Sequence, residues 1–546
     1  MSVPREKNNS TKLEWFAAAI VTLAILWLHF HFWQNAGGLW RDEVNLVNLA
    51  HSSSLSVMAH DSFPVLMPLL VNLWSAPGFG NHDGGLRLLG ILIGLGIIAA
   101  LWAAAWTARR SPPLISLTLL GLNTTLIFYG DSLRAHGLGS ALIVLAAAMM
   151  WRFLKQPSWP RAGILAGVAI LSVQALFQNA VLLAAICFGA WLVCGRRKNW
   201  RAAGKILLAG LAAAASLLPY WANLSALSGA SASLRSGFMP VSVFMKFDTL
   251  IAFPLPQYDC LWEICAFAVI GFGCATAFSS KSKNGALQNK ISGDDLPLFA
   301  GATLLAALAG FVGFLWFAAL PTQPWYFLPL AALMAVCFDL GLPLNSFPRP
   351  LRRLIFGLLA ITALIAVPIA HRDLNRRFTN VDLLARQLMT EAAPQDFIIV
   401  TPWFCGISFD RYYRGRTPWQ TLPPLADHAT HRYDLLLEKI KTSNALQPVF
   451  DQIAATLQSG HRVWVVGTMT LPKPGLATSG ELTVPPLNIS GDADSPYAVA
   501  WASQAATFLA SHSLQFGRAN DATNFNINSF ENLQLLSASG WKTNQP

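Results

Sequence analysis

The sequence predicts a polytopic α-helical membrane protein that ends in an extracytoplasmic α/β domain. Three observations predict it: a very apolar composition, eleven apolar runs of near-spanning length, and basic residues gathered in every second connection between those runs. Of 546 residues, 54% are hydrophobic and 12% charged, and the mean hydropathy is +0.45. A water-soluble fold of this length is not so apolar. Runs such as 15–32 and 298–320 approach the roughly 20 residues that a helix needs to cross the hydrocarbon core.

The crossings are centred on residues 15–32, 88–107, 114–129, 137–151, 162–177, 180–194, 206–221, 264–278, 298–320, 325–340 and 354–369. The first has a basic leader (Arg5, Lys7, Lys12) and no small-x-small cleavage site, so it is expected to be an uncleaved signal anchor. Basic clusters follow in alternate connections: Arg109/Arg110, Arg152/Lys155/Arg161, Arg196 to Lys205, Lys281/Lys283/Lys290 and Arg349/Arg352/Arg353. The positive-inside rule makes these connections, and the N-terminus, cytoplasmic. The net charge of +11 thus reflects membrane topology rather than nucleic-acid binding. An odd number of crossings leaves the C-terminus outside.

Residues 1–370 are expected to form the membrane domain and 371–546 the soluble one. After His371 charged and polar residues return; 397–400 and 462–466 read as buried strands, and 433–441, 446–458 and 498–510 as helices. The first outer loop, 34–87, holds the apolar stretch 63–74. It contains Pro64 and Pro68 and is too short to span, so a helix lying in the interface is expected. No internal repeat of 20–50 residues is visible. The seven cysteines show no metal-type spacing.

Asp42 and Glu43 lead the residues that could carry chemistry. They stand in Trp40-Arg41-Asp42-Glu43, just after the first crossing. Adjacent carboxylates beside low-dielectric surroundings are costly to keep, and an acid so placed can act as a general base. The competing structural reading is a pair of helix-end acids neutralised by Arg41. Asp131 and Arg134 stand in the second outer connection. The forked guanidinium of Arg134 suits a phosphate oxygen, whereas an i, i+3 ion pair with Asp131 is the plainer alternative.

The Trp40–Glu43 motif resembles the luminal Asp-Glu motif of the polyprenyl-phosphate-sugar-dependent glycosyltransferases of the GT-C fold. That group includes protein O-mannosyltransferases and the aminoarabinose transferases of lipid A. Phe63-Pro64 and Pro68-Leu69 in the same loop echo it, as does Trp325-Tyr326-Phe327-Leu328-Pro329-Leu330. The resemblance covers the membrane half and is strongest in the first 140 residues. It implies that Asp42 deprotonates an acceptor, with Glu43 as its neighbour, and that the donor is a polyprenyl-phosphate-linked sugar. It also implies an acid and a downstream Arg in the second outer loop, filled here by Asp131 and Arg134, with His136 standing where the family has Tyr.

Arg41 is a further candidate for binding substrate; Arg235 and Lys246, in the long outer connection 222–259, are candidates for holding the donor phosphate, with solvated loop charges as the plainer reading, and Tyr326 is a candidate for stacking on the donor, with interfacial anchoring as the plainer one. His60 and Asp61 are the candidate ligands, with Glu43, for a divalent metal, although capping or hydrogen bonding is the plainer role for them. Asp410-Arg411-Tyr412-Tyr413-Arg414-Gly415 could contact an acceptor glycan or pack on the membrane domain. The function expected is a multi-pass cell-membrane glycosyltransferase that needs no nucleotide. It would move a monosaccharide from the polyprenyl phosphate to an extracytoplasmic glycan, lipid or protein. The alternatives are a transporter or flippase, and an oligosaccharide polymerase or ligase with a lipid-diphosphate donor. A reporter fused after Pro546 is expected to read as extracytoplasmic; a cytoplasmic signal would overturn this topology.

Overall fold

The computed structural model describes residues 7–52, 54–58, 63–108, 111–221, 239–278, 295–318, 322–342, 344, 347–469, 495–519 and 525–542. The chain divides into two compact units. One contains Met1–Gln34, Ser54–Ser225 and Phe238–Leu374; the other gathers Asn35–Ser53 and Asn375–Pro546.

The first unit is helical. Among the described residues, nine helices are long and apolar enough to cross a membrane. They begin with α1 (Lys7–Asn35) and end with Arg349–Asp373. This is a multi-pass membrane protein, and the two expected crossings missing from the nine have local causes. The run 162–177 forms the helix Trp159–Ala175, whose 17 residues fall just short of a full span. The run 114–129 is not one helix. It is α-helical at Leu114–Ser116, π-helical over Leu117–Gly121 and α-helical again at Thr124–Gly130.

The break lies at Asn123. Its side chain accepts a hydrogen bond from the backbone N–H of Leu126 at 2.9 Å and so starts a new helix, as Asn does at an N-cap. Hydropathy alone does not reveal a cap set inside an apolar run. Residues 114–130 are all buried, which is where irregular backbone is tolerated at membrane depth. Asp339, on the helix Leu328–Gly341, accepts from the backbone N–H groups of Ile115 and Ser116 at 3.1 and 3.2 Å. It thereby satisfies donors that the first turn of a helix leaves without partners. The apolar stretch of the first loop forms the short helix Leu66–Ser75.

The second unit is built on a five-stranded sheet of order β2-β1-β3-β5-β4. Here β1 is Phe397–Thr401, β2 Trp419–Thr421, β3 Val463–Gly467, β4 Ser513–Arg518 and β5 Gln534–Trp541. β1 runs parallel to β2 and β3, whereas β5 is antiparallel to both β3 and β4. The expected strands are β1 and β3. Both are buried along their whole length, as continuous apolar runs with both faces covered should be.

Alternate residues serve opposite faces of the sheet. Ile399 and Val465 pack with Val449, Ile453 and Leu509, while Ile398 and Val466 pack with Leu384, Leu388 and Phe409. The expected helices are present as Tyr433–Lys441, Gln447–Gln458 and Ser495–His512. β2, β4 and β5 have no apolar run to announce them and owe their place to pairing with β1 and β3. Ile453 is fully buried against this sheet, so Ile453→Ala is expected to cost about 2–5 kcal/mol. A fall in the thermal midpoint of the purified protein would register it.

Candidate functional site

The Trp-Arg-Asp-Glu segment belongs to the second unit and opens the helix α2 (Arg41–Ala50). Its approach is shaped by Gly37, which has φ +70°. A Cβ at Gly38 would lie 3.0 Å from both the Asp382 carboxyl carbon and the Tyr412 hydroxyl. That hydroxyl accepts from the Leu39 backbone N–H at 2.6 Å. Tyr412, from the polar aromatic segment 410–415, therefore braces the entry to α2.

The four residues of the motif do different things. Trp40 is fully buried, with its ring 5.8 Å from that of Phe378. Glu43 is also fully buried, and its Oε2 accepts from the Trp40 backbone N–H at 3.3 Å, which suits an acid in the first turn of a helix. Arg41 reaches inward. Its guanidinium lies 4.3 Å from the Phe404 ring centroid and 5.3 Å from that of Trp40. It donates to the Phe530 carbonyl at 2.9 Å and stands 3.6 Å from Glu531 Oε2. Asp42 keeps 16% of its side chain exposed, while the side chains of Glu43 and Glu531 have none of theirs at the surface. Its Oδ1 lies 3.8 Å from Arg41 Nε and 3.3 Å from His431 Nε2. The positive end of the α2 dipole favours negative charge at this position.

Glu531 and His431 were not singled out from the sequence; each lies hundreds of residues from the motif. Glu531 accepts three hydrogen bonds, from the backbone N–H of Arg41 at 3.0 Å, the Thr379 hydroxyl at 3.0 Å and the Ser408 hydroxyl at 2.8 Å, and the Arg41 guanidinium stands 3.6 Å away. Burial pushes its carboxyl up to about 7 against the pull of Arg41 and these hydrogen bonds.

The first unit brings together residues from three separate connections. Arg134 lies 4.6 Å over the Phe63 ring, and the His136 ring is 5.3 Å from those of both Phe63 and Tyr326. Trp325 packs 4.6 Å from Tyr129. Asp131 does not pair with Arg134 in an i, i+3 bridge. Both of its oxygens lie 2.8 Å from His29 Nδ1. Burial raises its carboxyl to about 6, against the opposing charges of His29 and Arg87. A Cβ at Gly94 would collide with Asp131 Oδ1, so the close approach depends on glycine there. His29 was legible in principle as an ionisable residue inside the first apolar run.

Lys246, on the helix Pro240–Ile251, donates to the backbone carbonyl of Thr322. Arg235, His60 and Asp61 lie outside the described residues. Among the described residues, no group of three His, Cys, Asp or Glu side chains could hold a metal ion.

No family model matches the sequence, and no curated protein matches it. Among solved structures, the chain is similar to ArnT from Cupriavidus metallidurans in the apo state, with 13% identity over 84% of this chain and 93% of that one at a TM-score of 0.48. It is also similar to the same protein bound to undecaprenyl phosphate, with 12% identity over 96% and 98% at 0.46. A third is the Archaeoglobus fulgidus oligosaccharyltransferase in complex with Zn and sulfate, with 11% identity over 82% and 67% at 0.49.

The Glu531 environment has a consequence for stability. Between about pH 4.5 and 7 the unfolded chain has released this proton and the folded chain has kept it. Its contribution to stability therefore falls as pH rises through that window. In Glu531→Gln the amide oxygen can still accept from Arg41, and the Thr379 and Ser408 hydroxyls can turn to accept from the amide nitrogen. This variant is expected to lose less stability than wild type between those two pH values, as read by thermal midpoints.

Proposed function

We propose that this chain is a membrane glycosyltransferase that moves a monosaccharide from a polyprenyl-phosphate donor to an extracytoplasmic acceptor, with Asp42 as the base. The observation that carries the proposal is the division of labour among the three acids around Arg41. Glu43 and Glu531 are fully buried and engaged with backbone or Arg41, and Asp42 alone of the three reaches the surface. A base must meet the proton that it removes.

In the reaction, Asp42 takes the proton of the acceptor hydroxyl as its oxygen bonds to the anomeric carbon. The bond from that carbon to the phosphate oxygen breaks, and its electron pair leaves with the polyprenyl phosphate. Inversion follows from attack opposite the leaving group. A departing phosphate needs cationic stabilisation. Arg134 is the residue of the membrane unit whose guanidinium suits a phosphate oxygen, and Lys246 is the second candidate. Residues 371–546 would present the acceptor, and the metal question rests on His60 and Asp61.

A transporter would use its intramembrane acids along a pathway. Asp339 instead caps backbone amides, which favours the enzyme.

Asp42→Asn tests the proposal. With a polyprenyl-phosphate monosaccharide as donor, transfer in membranes is expected to fall about 100-fold or more, while polyprenyl phosphate binding is kept. Retained transfer would remove Asp42 from the role of base.

A further inference from the structure

We infer that His431 is a positioning residue for Asp42, whose Nε2–H donates a hydrogen bond to Asp42 Oδ1. The inference rests on Asp42 being the base.

Three observations lead there. The first is the contact itself, 3.3 Å between His431 Nε2 and Asp42 Oδ1, with both side chains mostly but not wholly covered, 14% and 16% exposed. The second is that the segment carrying His431 is fastened to the helix that carries Asp42. The His431 backbone N–H donates to Asn45 Oδ1 at 2.9 Å, and Asn48 Nδ2 donates to the Ala429 carbonyl at 2.7 Å. Asp42, Asn45 and Asn48 recur every third residue, so they follow one side of α2. The imidazole also stands against the rings of Trp403, at 6.1 Å and 82°, and Tyr433, at 6.0 Å. Ring and carboxylate are thus fastened to the same helix.

The third observation sets the tautomer. His431 Nδ1 is buried and has no hydrogen-bond partner. A buried N–H without an acceptor is rarer and more costly than an idle lone pair. A proton on Nδ1 would also leave the Nε2 lone pair facing a carboxylate oxygen. With the proton on Nε2 both faults vanish. Among the described residues, the charged and titratable groups around the contact include Arg41, Tyr433 and the buried Cys405, with Glu531 behind Arg41. A buried Nδ1 cannot meet an acceptor molecule, so His431 acts through Asp42 and not on the substrate.

A single partly exposed hydrogen bond contributes little to folding, so replacing it should alter turnover before stability. Five proteins decide the matter: wild type, His431→Phe, His431→Gln, Asn45→Ala and Asp42→Asn. Each is assayed with a polyprenyl-phosphate monosaccharide donor, with polyprenyl phosphate binding and thermal midpoint as folding controls. His431→Phe keeps the ring volume and loses the donor; it is expected to lower kcat about 10-fold, one hydrogen bond's worth of alignment, with donor KM unchanged. His431→Gln retains an N–H at nearly the same reach and is expected to recover most of that loss. Asn45→Ala frees the segment without touching the ring, and it is expected to lower kcat in the same direction should the Phe variant fail to fold.

Wild-type kcat in His431→Phe, or in Asn45→Ala if that variant stands in for it, overturns the inference, and so does a Gln variant as slow as the Phe variant. If either result accompanies an inactive Asp42→Asn, the base assignment survives alone. An active Asp42→Asn overturns the base assignment itself, and the inference with it.

Discussion

The pairing of Arg41 with Glu531 is the contact on which the candidate site depends. It joins a residue just beyond the first apolar helix to one near the C-terminus, and it does so with the carboxylate wholly buried. Leaving one partner of such a pair alone costs several kcal/mol, because an uncompensated charge remains inside. The surroundings show how that cost is contained. Two hydroxyls and a backbone N–H complete the shell of Glu531, and the Arg41 guanidinium is sandwiched near aromatic rings. With Arg41 committed inward, its neighbour Asp42 is turned toward the surface. The order Arg-Asp-Glu at the start of a helix thus sends three charged side chains to three different destinations.

The membrane unit obeys a different constraint, the need to satisfy every backbone polar group away from water. It permits the broken segment 114–130 only because the surrounding helices bury it and Asp339 and Asn123 provide its caps. The same unit accepts an ionisable pair, His29 with Asp131, where Gly94 lets the helix Asp83–Ala108 come close. Asp339, Asn123 and the His29–Asp131 pair each have a local backbone or side-chain reason to be there. Phe63, Arg134, His136 and Tyr326, from three connections, meet within it.

Much of the architecture was legible in the sequence. Period and length located the spanning helices, because a helix that faces lipid must be apolar for about 20 residues. Strands β1 and β3 were legible because buried parallel strands are continuous apolar runs, whereas β2, β4 and β5 are only partly buried and mix polar with apolar residues. What the sequence did not reveal is that a polar cap interrupts an apolar run, as at Asn123. Asp42 could be chosen from its place after the first crossing, but Glu43 beside it has the same local context and a different fate, full burial under the Trp40 N–H.

By itself, then, the sequence determined which segments are apolar enough to cross, where the charges gather and which short motif stands at the first exit. These are properties of neighbours in the chain, set by hydropathy and by the periods of helix and strand. Only the tertiary structure decided that residues 35–53 build the C-terminal unit, that Glu531 takes Arg41, that His29 takes Asp131, and that His431 takes Asp42. Contacts between residues 102 or more positions apart leave no local trace, because what selects them is complementary charge and burial in the folded chain.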